Sequence, residues 1–585
     1  MTKRFDVLDI DAACELLREG YGVIVSPVQL SRLVQPWILP AFWSRGVRLM
    51  LSDDVASAAD IIAYSCRQPV GELFSRLEDD SFYSLCVRVD IGTDRNQLPT
   101  VFFAACNNVL REACDATSAS PDFAESHTYF GPSRIATSGS AVASLIAEQR
   151  MRYEELMKSS ASQFANSAYY MGSKKTLAPF LVEALSSIAD KSTQIVDLMC
   201  GSGAASGAFA KFWPTIASDA QLFCRNLAIV QGGGYSRRRA ATVVEHIRAV
   251  AAEHVNSLLE LTGGLLQREE QILHGEFGEQ TVTAYKEFVS SVPLYPDVGR
   301  YGNWNPALLV NQRKEDSTSY PYCLCTAYFA NVYFGFRQSL EIDSIRFAIN
   351  QLNDPIDHEW ALGALVTTMS AVALTYGGHF AQPLIRSVEN ITSSNIARIL
   401  ERRAMSVMHE FSVRLLNLAE ESEGSRYPVK PIPGPWKAAL EMVDCSKHKR
   451  TIVYLDAPYK REEYSRYYHV LETLCAYSYP DSSGPARIPR KQAGERFQSE
   501  FFTRSSNKII DAFVNVIGAI LERGCICAWS YSDNGSVNPL LVIGAVREKY
   551  TVQLRSFATP FVHKAQGGSS KKEITEYLVL FSPMS

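Results

Sequence analysis

From about residue 165 onward, short apolar runs alternate with stretches of helical periodicity. Gln194-Ile195-Val196-Asp197-Leu198 reads as a strand, followed by a Gly-rich turn and an Ala-rich helix through about Phe212. Thr215-Ile216-Ala217-Ser218 is a second strand. Thr451-Ile452-Val453-Tyr454-Leu455 has the unbroken apolar character of a buried parallel strand. A further apolar strand runs from Cys525 to Trp529. Thr176 to Ser187 is amphipathic. Ala241 to Leu261 and Gln267 to Val289 carry heptad-like apolar spacing, and Gln338 to Leu352 and Ser394 to Glu420 also read as helices. Ala361 to Leu374 is apolar throughout. Strands separated by helices predict an α/β fold with a doubly wound sheet.

The first 150 residues have a pattern of their own. Asp9 to Gly20 reads as a helix and Gly22 to Ser26 as a short strand. Gly46 to Leu51, Tyr83 to Asp90 and Thr100 to Ala105 are further strand candidates, with Val55 to Cys66 and Asn107 to Ala116 helical. This predicts a small α/β domain, with a Ser/Ala/Gly-rich linker near Ala116 to Ser140. It holds no nuclease, ATPase or zinc motif. Docking a protein partner, binding DNA and bracing the rest of the chain are all roles open to it.

Composition narrows the class. A chain of 585 residues with 46% hydrophobic and 21% charged residues predicts a globular protein of about two to four domains. No apolar run reaches about 18 residues and no signal peptide opens the chain, so the expectation is a cytoplasmic protein without a membrane span. The 13 cysteines lack paired Cys-x-x-Cys sets, which predicts reduced thiols and no zinc. A net charge of −4 rules out a global field for nucleic acid, so any such binding rests on local clusters. The candidates are Arg237-Arg238-Arg239, Arg402-Arg403, Lys447-His448-Lys449-Arg450, Arg487-x-x-Arg490-Lys491 and Lys571-Lys572. Each cluster reads first as a solvated surface; those at 447–450 and 487–491 flank the Thr451–Leu455 strand and the segment after it, and of the five have the best claim to touch phosphate.

The candidate chemistry is at strand ends. Asp456-Ala457-Pro458-Tyr459 closes the 451–455 run, where open α/β sheets place their active sites. The tetrapeptide resembles Asp-Pro-Pro-Tyr, the active-site signature of methyltransferases that act on exocyclic amines of nucleic-acid bases, and the chemistry that resemblance implies is this: the exocyclic amine of adenine is a poor nucleophile because its lone pair is delocalised into the ring. Two acceptors aimed at its N–H bonds free that lone pair: the Asp456 carboxylate and the backbone C=O of Ala457 serve. Pro458 stiffens the turn, and Tyr459 offers a flat face for a base taken out of its stack. An ordinary turn after a strand would carry the same tetrapeptide. Two upstream motifs add weight. Asp197 leads into Met199-Cys200-Gly201-Ser202-Gly203, whose glycines allow close backbone approach to a ligand. Asp219 lies about twenty residues further on, where an acid suits a ribose diol or a helix N-cap. Before both stands Tyr169-Tyr170-Met171-Gly172-Ser173-Lys174-Lys175.

In this order, the three motifs resemble those of the alpha-group, Dam-like DNA adenine-N6 methyltransferases, in a restriction- and phage-associated branch. The family's Tyr-x-Gly-Ser-Lys segment is matched by Tyr170 to Lys174. Its Asp-x-x-x-Gly-x-Gly loop is matched by Asp197 to Gly203, and its Asp-Pro-Pro-Tyr strand end by Asp456 to Tyr459. Glu463 to Glu472, Ser530-Tyr531-Ser532 and Glu576 to Leu580 look like the segments that follow in that branch. The resemblance covers about residues 165 to 585. It implies a Rossmann-like methyltransferase sheet built from 165–232 and 446–585, interrupted by a mainly helical target-recognition insert at 233–445. It implies S-adenosylmethionine as methyl donor, held by Tyr170, Gly172, Lys174, Asp197, Gly201, Gly203 and Asp219. It also implies DNA as substrate and direct transfer to N6 of adenine without a metal. Within the insert, Tyr301, Trp304, Tyr333 and His379 could stack or bond with bases, although aromatics in such a segment more commonly fill a core. Ala457 departs from the family's proline but keeps the carbonyl the chemistry asks for. A catalytically weak DNA-binding or complex-forming subunit is the competing reading. Asp at 456, rather than Ser, and the motif order argue against transfer to N4 of cytosine.

Overall fold

A computed structural model describes residues 7–21, 27, 30, 42–44, 47–51, 55 and 174–583, the last with breaks at 276–277, 377, 424–426, 446–449, 459–463, 492–495, 533–534 and 565–570. Within the N-terminal part, Val7–Asp9, Phe42–Ser44 and Val47–Leu51 form a small antiparallel sheet beside the helix Ile10–Tyr21. The helix and the Val47–Leu51 strand match their predicted positions. The other elements predicted between Gly22 and Ala116, and the linker, lie outside the described residues apart from these and single positions.

The main body is an α/β unit around a seven-stranded sheet. Its strands are β1 (Thr193–Asp197), β2 (Thr215–Asp219), β3 (Val429–Pro433), β4 (Arg450–Leu455), β5 (Ile526–Ser532), β6 (Val552–Lys564) and β7 (Lys571–Pro583). Across the sheet the order is β6-β7-β5-β4-β1-β2-β3. The central strands pair in parallel, whereas β7 is antiparallel to β5 and to β6. A β6–β7 hairpin therefore closes one side of a doubly wound sheet. The strand order reverses between β1 and β4, so their C-terminal ends flank an open crevice. Strands buried on both faces need continuous apolar runs: β1 is buried along its whole length and β4 along all but Arg450.

Helices cover both faces. One face carries α1 (Ala178–Ser186) and α2 (Ala204–Ala210), packed on Ile195, Ile452, Tyr454 and Leu578. The other carries α9 (Ser506–Glu522) and α10 (Pro539–Lys549), packed on Val196, Val453, Trp529 and Val579. The long β6–β7 ribbon had only its closing portion predicted, because its polar outer positions break the apolar run.

The insert is mainly helical. Its principal helices are α4 (Arg237–Thr262), α5 (Phe336–Asn350), α6 (Pro355–Val372) and α7 (Val407–Glu423). The predicted 267–289 helix is two helices, Leu265–Leu273 and Glu279–Ser291, with Gly275 and Gly278 in the turn between them. The predicted 394–420 helix likewise divides, into Ile396–Ala404 and α7. The chain rejoins the sheet earlier than the sequence indicated, since β3 begins at Val429 and 429–445 belongs to the sheet layer.

The insert does not swing from a hinge. Its core runs without a gap into α3 (Leu222–Ile229) and α8 (His469–Ala476) of the sheet layer. Gly363 of α6 makes the approach possible: a Cβ there would lie 2.4 Å from Val230 Cγ1 and 2.5 Å from the Asn226 carbonyl oxygen. Buried Arg346 donates from Nε to the Leu474 carbonyl and from Nη2 to that of Cys475, both at 3.1 Å, capping the end of α8. Among the described residues, no helix is long and apolar enough to cross a membrane.

Candidate active site

β1 and β4 lie side by side, with Asp197 opposite Tyr454. Asp197 ends β1, and Asp456 follows β4 by one residue. The loop after β1 is tied to both neighbouring strands. The Leu198 N–H donates to the Tyr454 carbonyl (3.0 Å) and the Cys200 N–H to that of Ser218 (2.9 Å). Gly201 and Gly203 both adopt left-handed φ, +50° and +74°. Gly203 also sits against the backbone of α3, where a Cβ would come within 2.4 Å of Ala228 Cα. Gly203→Ala is therefore expected to cost at least ~1–2 kcal/mol from the left-handed backbone alone, with the clash added. A lowered melting temperature and weakened ligand binding in the same variant are the readouts.

The loop closes over Asp219 at the end of β2. Asp219 accepts from the Gly201 N–H through Oδ2 (3.1 Å) and from the Gln221 N–H through Oδ1 (2.9 Å). Each oxygen keeps a second lone pair. Asp219 thus shapes the loop, and both uses open to it in sequence, ribose acceptor and helix-start acceptor, are compatible with its position. α3 begins just beyond. Its Leu222 and Phe223 N–H groups donate to the carboxylate of Glu472 on α8, at 3.0 and 3.2 Å. Burial raises the Glu472 pKa and these two N–H groups oppose the rise.

Lys174, in the one-turn helix Lys174–Thr176, reaches across the floor. Its ammonium lies 3.1 Å from Asp456 Oδ1 and 3.5 Å from Glu576 Oε2 on β7. Lys174 and Glu576 are buried, while 18% of the Asp456 side chain stays exposed to the cleft. Burial pushes the Asp456 carboxyl up to about 6; Lys174 pulls it down and Glu576 pushes it further up. Asp197 is pushed up to about 7, first by burial and then by Asp456 and Asp219, against the hydrogen bond it accepts from Ser206 Oγ (2.5 Å). Burial also raises Asp219. Asp197, Asp219 and Asp456 thus share this floor with one ammonium, and burial biases the carboxyls toward their neutral form.

These groups line one cleft of about 970 Å³ of non-atom space, its open mouth included. Lys174, Asp197, Gly201, Asp219, Asp456, Ala457 and Pro458 all line it. Gly203 does not; it supports the loop from behind. Ala457 is buried, with its methyl in the core beneath α9, where a proline ring would have to find room. Tyr170, Gly172 and Tyr459 lie outside the described residues.

Several lining residues were missed in the sequence. Pro435 and Trp436 follow β3, and Tyr464, Phe497, Ser499 and Phe502 come from the stretch after β4. Trp436 is fixed by a hydrogen bond from its indole N–H to Glu500 (2.7 Å). No strong motif marks these positions; a strand recognised at 429–433 would have pointed to Pro435-Trp436 at its C-terminal end.

The predicted base-contacting aromatics fare differently. Trp304 and Tyr333 are fully buried in the insert core. The Trp304 indole donates to the Pro293 carbonyl (3.1 Å) and the Tyr333 hydroxyl to that of Ala486 (3.0 Å). His379 is also buried, edge-on to Tyr467 with centroids 4.7 Å apart. Trp304 and Tyr333 pack within the insert core, and His379 packs against Tyr467. Tyr301 is half-buried beside the Arg268 guanidinium.

No protein-family model matches the chain, and no curated protein matches it.

Proposed function

We propose that the protein is an S-adenosylmethionine-dependent DNA methyltransferase acting on N6 of adenine. The observation that carries this reading is the convergence, at the switch point of a doubly wound sheet, of the Gly201–Gly203 loop, Asp219 and the Lys174–Asp456 pair. The cleft fits the donor on two counts. Its three floor carboxyls, when ionised, complement a sulfonium and an ammonium. The left-handed loop, backed by Gly203 against Ala228, leaves room for close backbone approach.

When bound, S-adenosylmethionine supplies an electrophilic methyl group on a sulfonium. Asp219 holds the ribose diol, Pro435 and Trp436 wall the adenosine end, and Asp197 with the Gly201 loop faces the methionine end. Asp456 accepts an N–H of the target amine, and the Ala457 carbonyl accepts the other. Lys174 keeps Asp456 ionised and oriented. Asp456 and the Ala457 carbonyl would present the amine lone pair to the donor's methyl carbon, the donor's sulfur would leave with the carbon–sulfur bonding pair, and the proton lost from the amine would pass to the Asp456 carboxylate and on to solvent. Positioning and desolvation do most of the work.

Incubation with methyl-tritiated donor and unmethylated DNA tests the reading. The expected result is label on DNA; saturable donor binding with no transfer to any duplex, single-stranded DNA or RNA would favour the weak, non-catalytic subunit instead. Ala457 is the feature that keeps that second reading alive. Ala457→Pro is expected to keep or raise the transfer rate, and a large loss would mean that the buried methyl position cannot take the ring.

A further inference from the structure

Beyond the main cleft, the segment after β4 builds a second, basic one. Arg466, Arg490, Lys491 and Arg496 line it together with Ser483, Ile488 and Pro489, around about 660 Å³ of open space. No carboxylate is among the described residues that line it. Arg466, Arg490 and Lys491 are exposed and Arg496 is half-buried. The nearby Asp481 carboxylate already receives the Tyr295 hydroxyl (3.0 Å) and the Lys314 ammonium.

The hairpin that carries this cleft is held rigidly. Ser482 and Ser483 pair with Pro489 and Ile488. The Arg490 N–H donates to the Asp481 carbonyl (2.9 Å). Arg487 is engaged by Asp297 at 2.5 Å, so it braces the hairpin and does not face a ligand. Below, buried His469 sits between two carbonyl oxygens, that of Arg466 at 3.0 Å and that of Ala486 at 2.9 Å, linking the two sides of the cleft.

A small third cavity, lined by Ser465, Lys491, Arg496, Phe497, Gln498 and Phe502, lies at the boundary of the two clefts. Lys491 and Arg496 are shared with the basic cleft, and Phe497 and Phe502 with the main one.

We propose that this basic cleft holds the phosphodiester backbone of a DNA strand beside the nucleotide whose base enters the main cleft. The inference rests on the methyltransferase reading for the nature of that base. Four cations grouped around the Ser482–Pro489 hairpin favour a polyanion, and the lining residues shared with the main cleft's edge fit one ligand spanning both. Phe497, 39% exposed at the junction, offers a face against which a sugar or base edge can rest.

The test is DNA binding by the full chain, read by anisotropy of a fluorescent single-stranded or duplex oligonucleotide across a salt series. The double variant Arg490→Gln/Lys491→Gln is compared with Lys191→Gln/Lys549→Gln, which removes the same charge from exposed sites elsewhere. The first is expected to weaken binding to all sequences alike and to lower the salt slope by about 2, roughly one for each phosphate no longer neutralised; the second is expected to leave the slope unchanged. Equal slopes for wild type and the first variant, or equal weakening in both variants, would overturn the proposal. Charge-dependent binding without methyl transfer would leave the cleft standing and remove the enzymatic reading. Methyl transfer with an unaltered slope in the first variant would do the reverse.

Discussion

Asp456→Asn is expected to lower the methyl-transfer rate by at least about a hundredfold while leaving donor binding nearly intact. The magnitude follows from what a single preorganised polar group in a desolvated site contributes, roughly 10²–10³ in rate. The substitution keeps the shape of the side chain but removes the charge and replaces one acceptor by a donor. A target amine that needs acceptors then meets an NH₂ group. The carboxylate's ionisation sets the pH dependence in the same way. Asp456 works as the ionised form, and burial holds its pKa up at about 6. Single-turnover rates in wild type are therefore expected to fall about tenfold per pH unit below that value and to level off above it. A flat profile between pH 5 and 8, with wild-type rates in Asp456→Asn, would remove Asp456 from the chemistry.

Lys174→Met is the second large effect. The ammonium lies within 3.5 Å of both Asp456 and Glu576, and all three groups are wholly or largely withdrawn from water. Removing one partner of a buried ion pair leaves an uncompensated charge and costs about 3–5 kcal/mol. Protonation of the carboxyls is the relief available, so the Asp456 pKa, which Lys174 now pulls down, rises in the variant. The sign is fixed by linkage. A carboxyl whose folded pKa stands above its unfolded value contributes stability at low pH, and that contribution is lost as pH rises through the folded pKa. The variant's deficit is thus smallest near pH 5 and deepens above pH 6. Its activity limb moves to higher pH than in wild type. Melting temperatures and rates measured across pH check both; a uniform loss of stability with an unmoved activity limb would show that Lys174 acts on the fold alone.

Much of the sheet was legible because its central strands are buried on both faces and must be continuously apolar. β1, β2, β4 and β5 were all visible for that reason, and the chemistry at their ends came with them. β3 escaped because Pro431 and Pro433 and exposed Lys430 disguise a strand at the sheet's edge. β6 escaped because its polar positions interrupt the apolar run. The pairing of Lys174 with Asp456 could not be read from the chain, since hundreds of residues separate them and only the sheet's closure brings them together. In the insert, Trp304 and Tyr333 follow the commoner of the two readings open to such aromatics and fill the core.

The central claim is that Asp456 activates an adenine amine toward a donor held by the Gly201 loop. Nucleoside mass analysis of DNA recovered after parallel incubation with wild type and Asp456→Asn, each with S-adenosylmethionine, tests it most directly. N6-methyldeoxyadenosine from wild type and at most traces from the variant is the predicted result. Methylation confined to another base, or equal N6-methyldeoxyadenosine from both proteins, would contradict it.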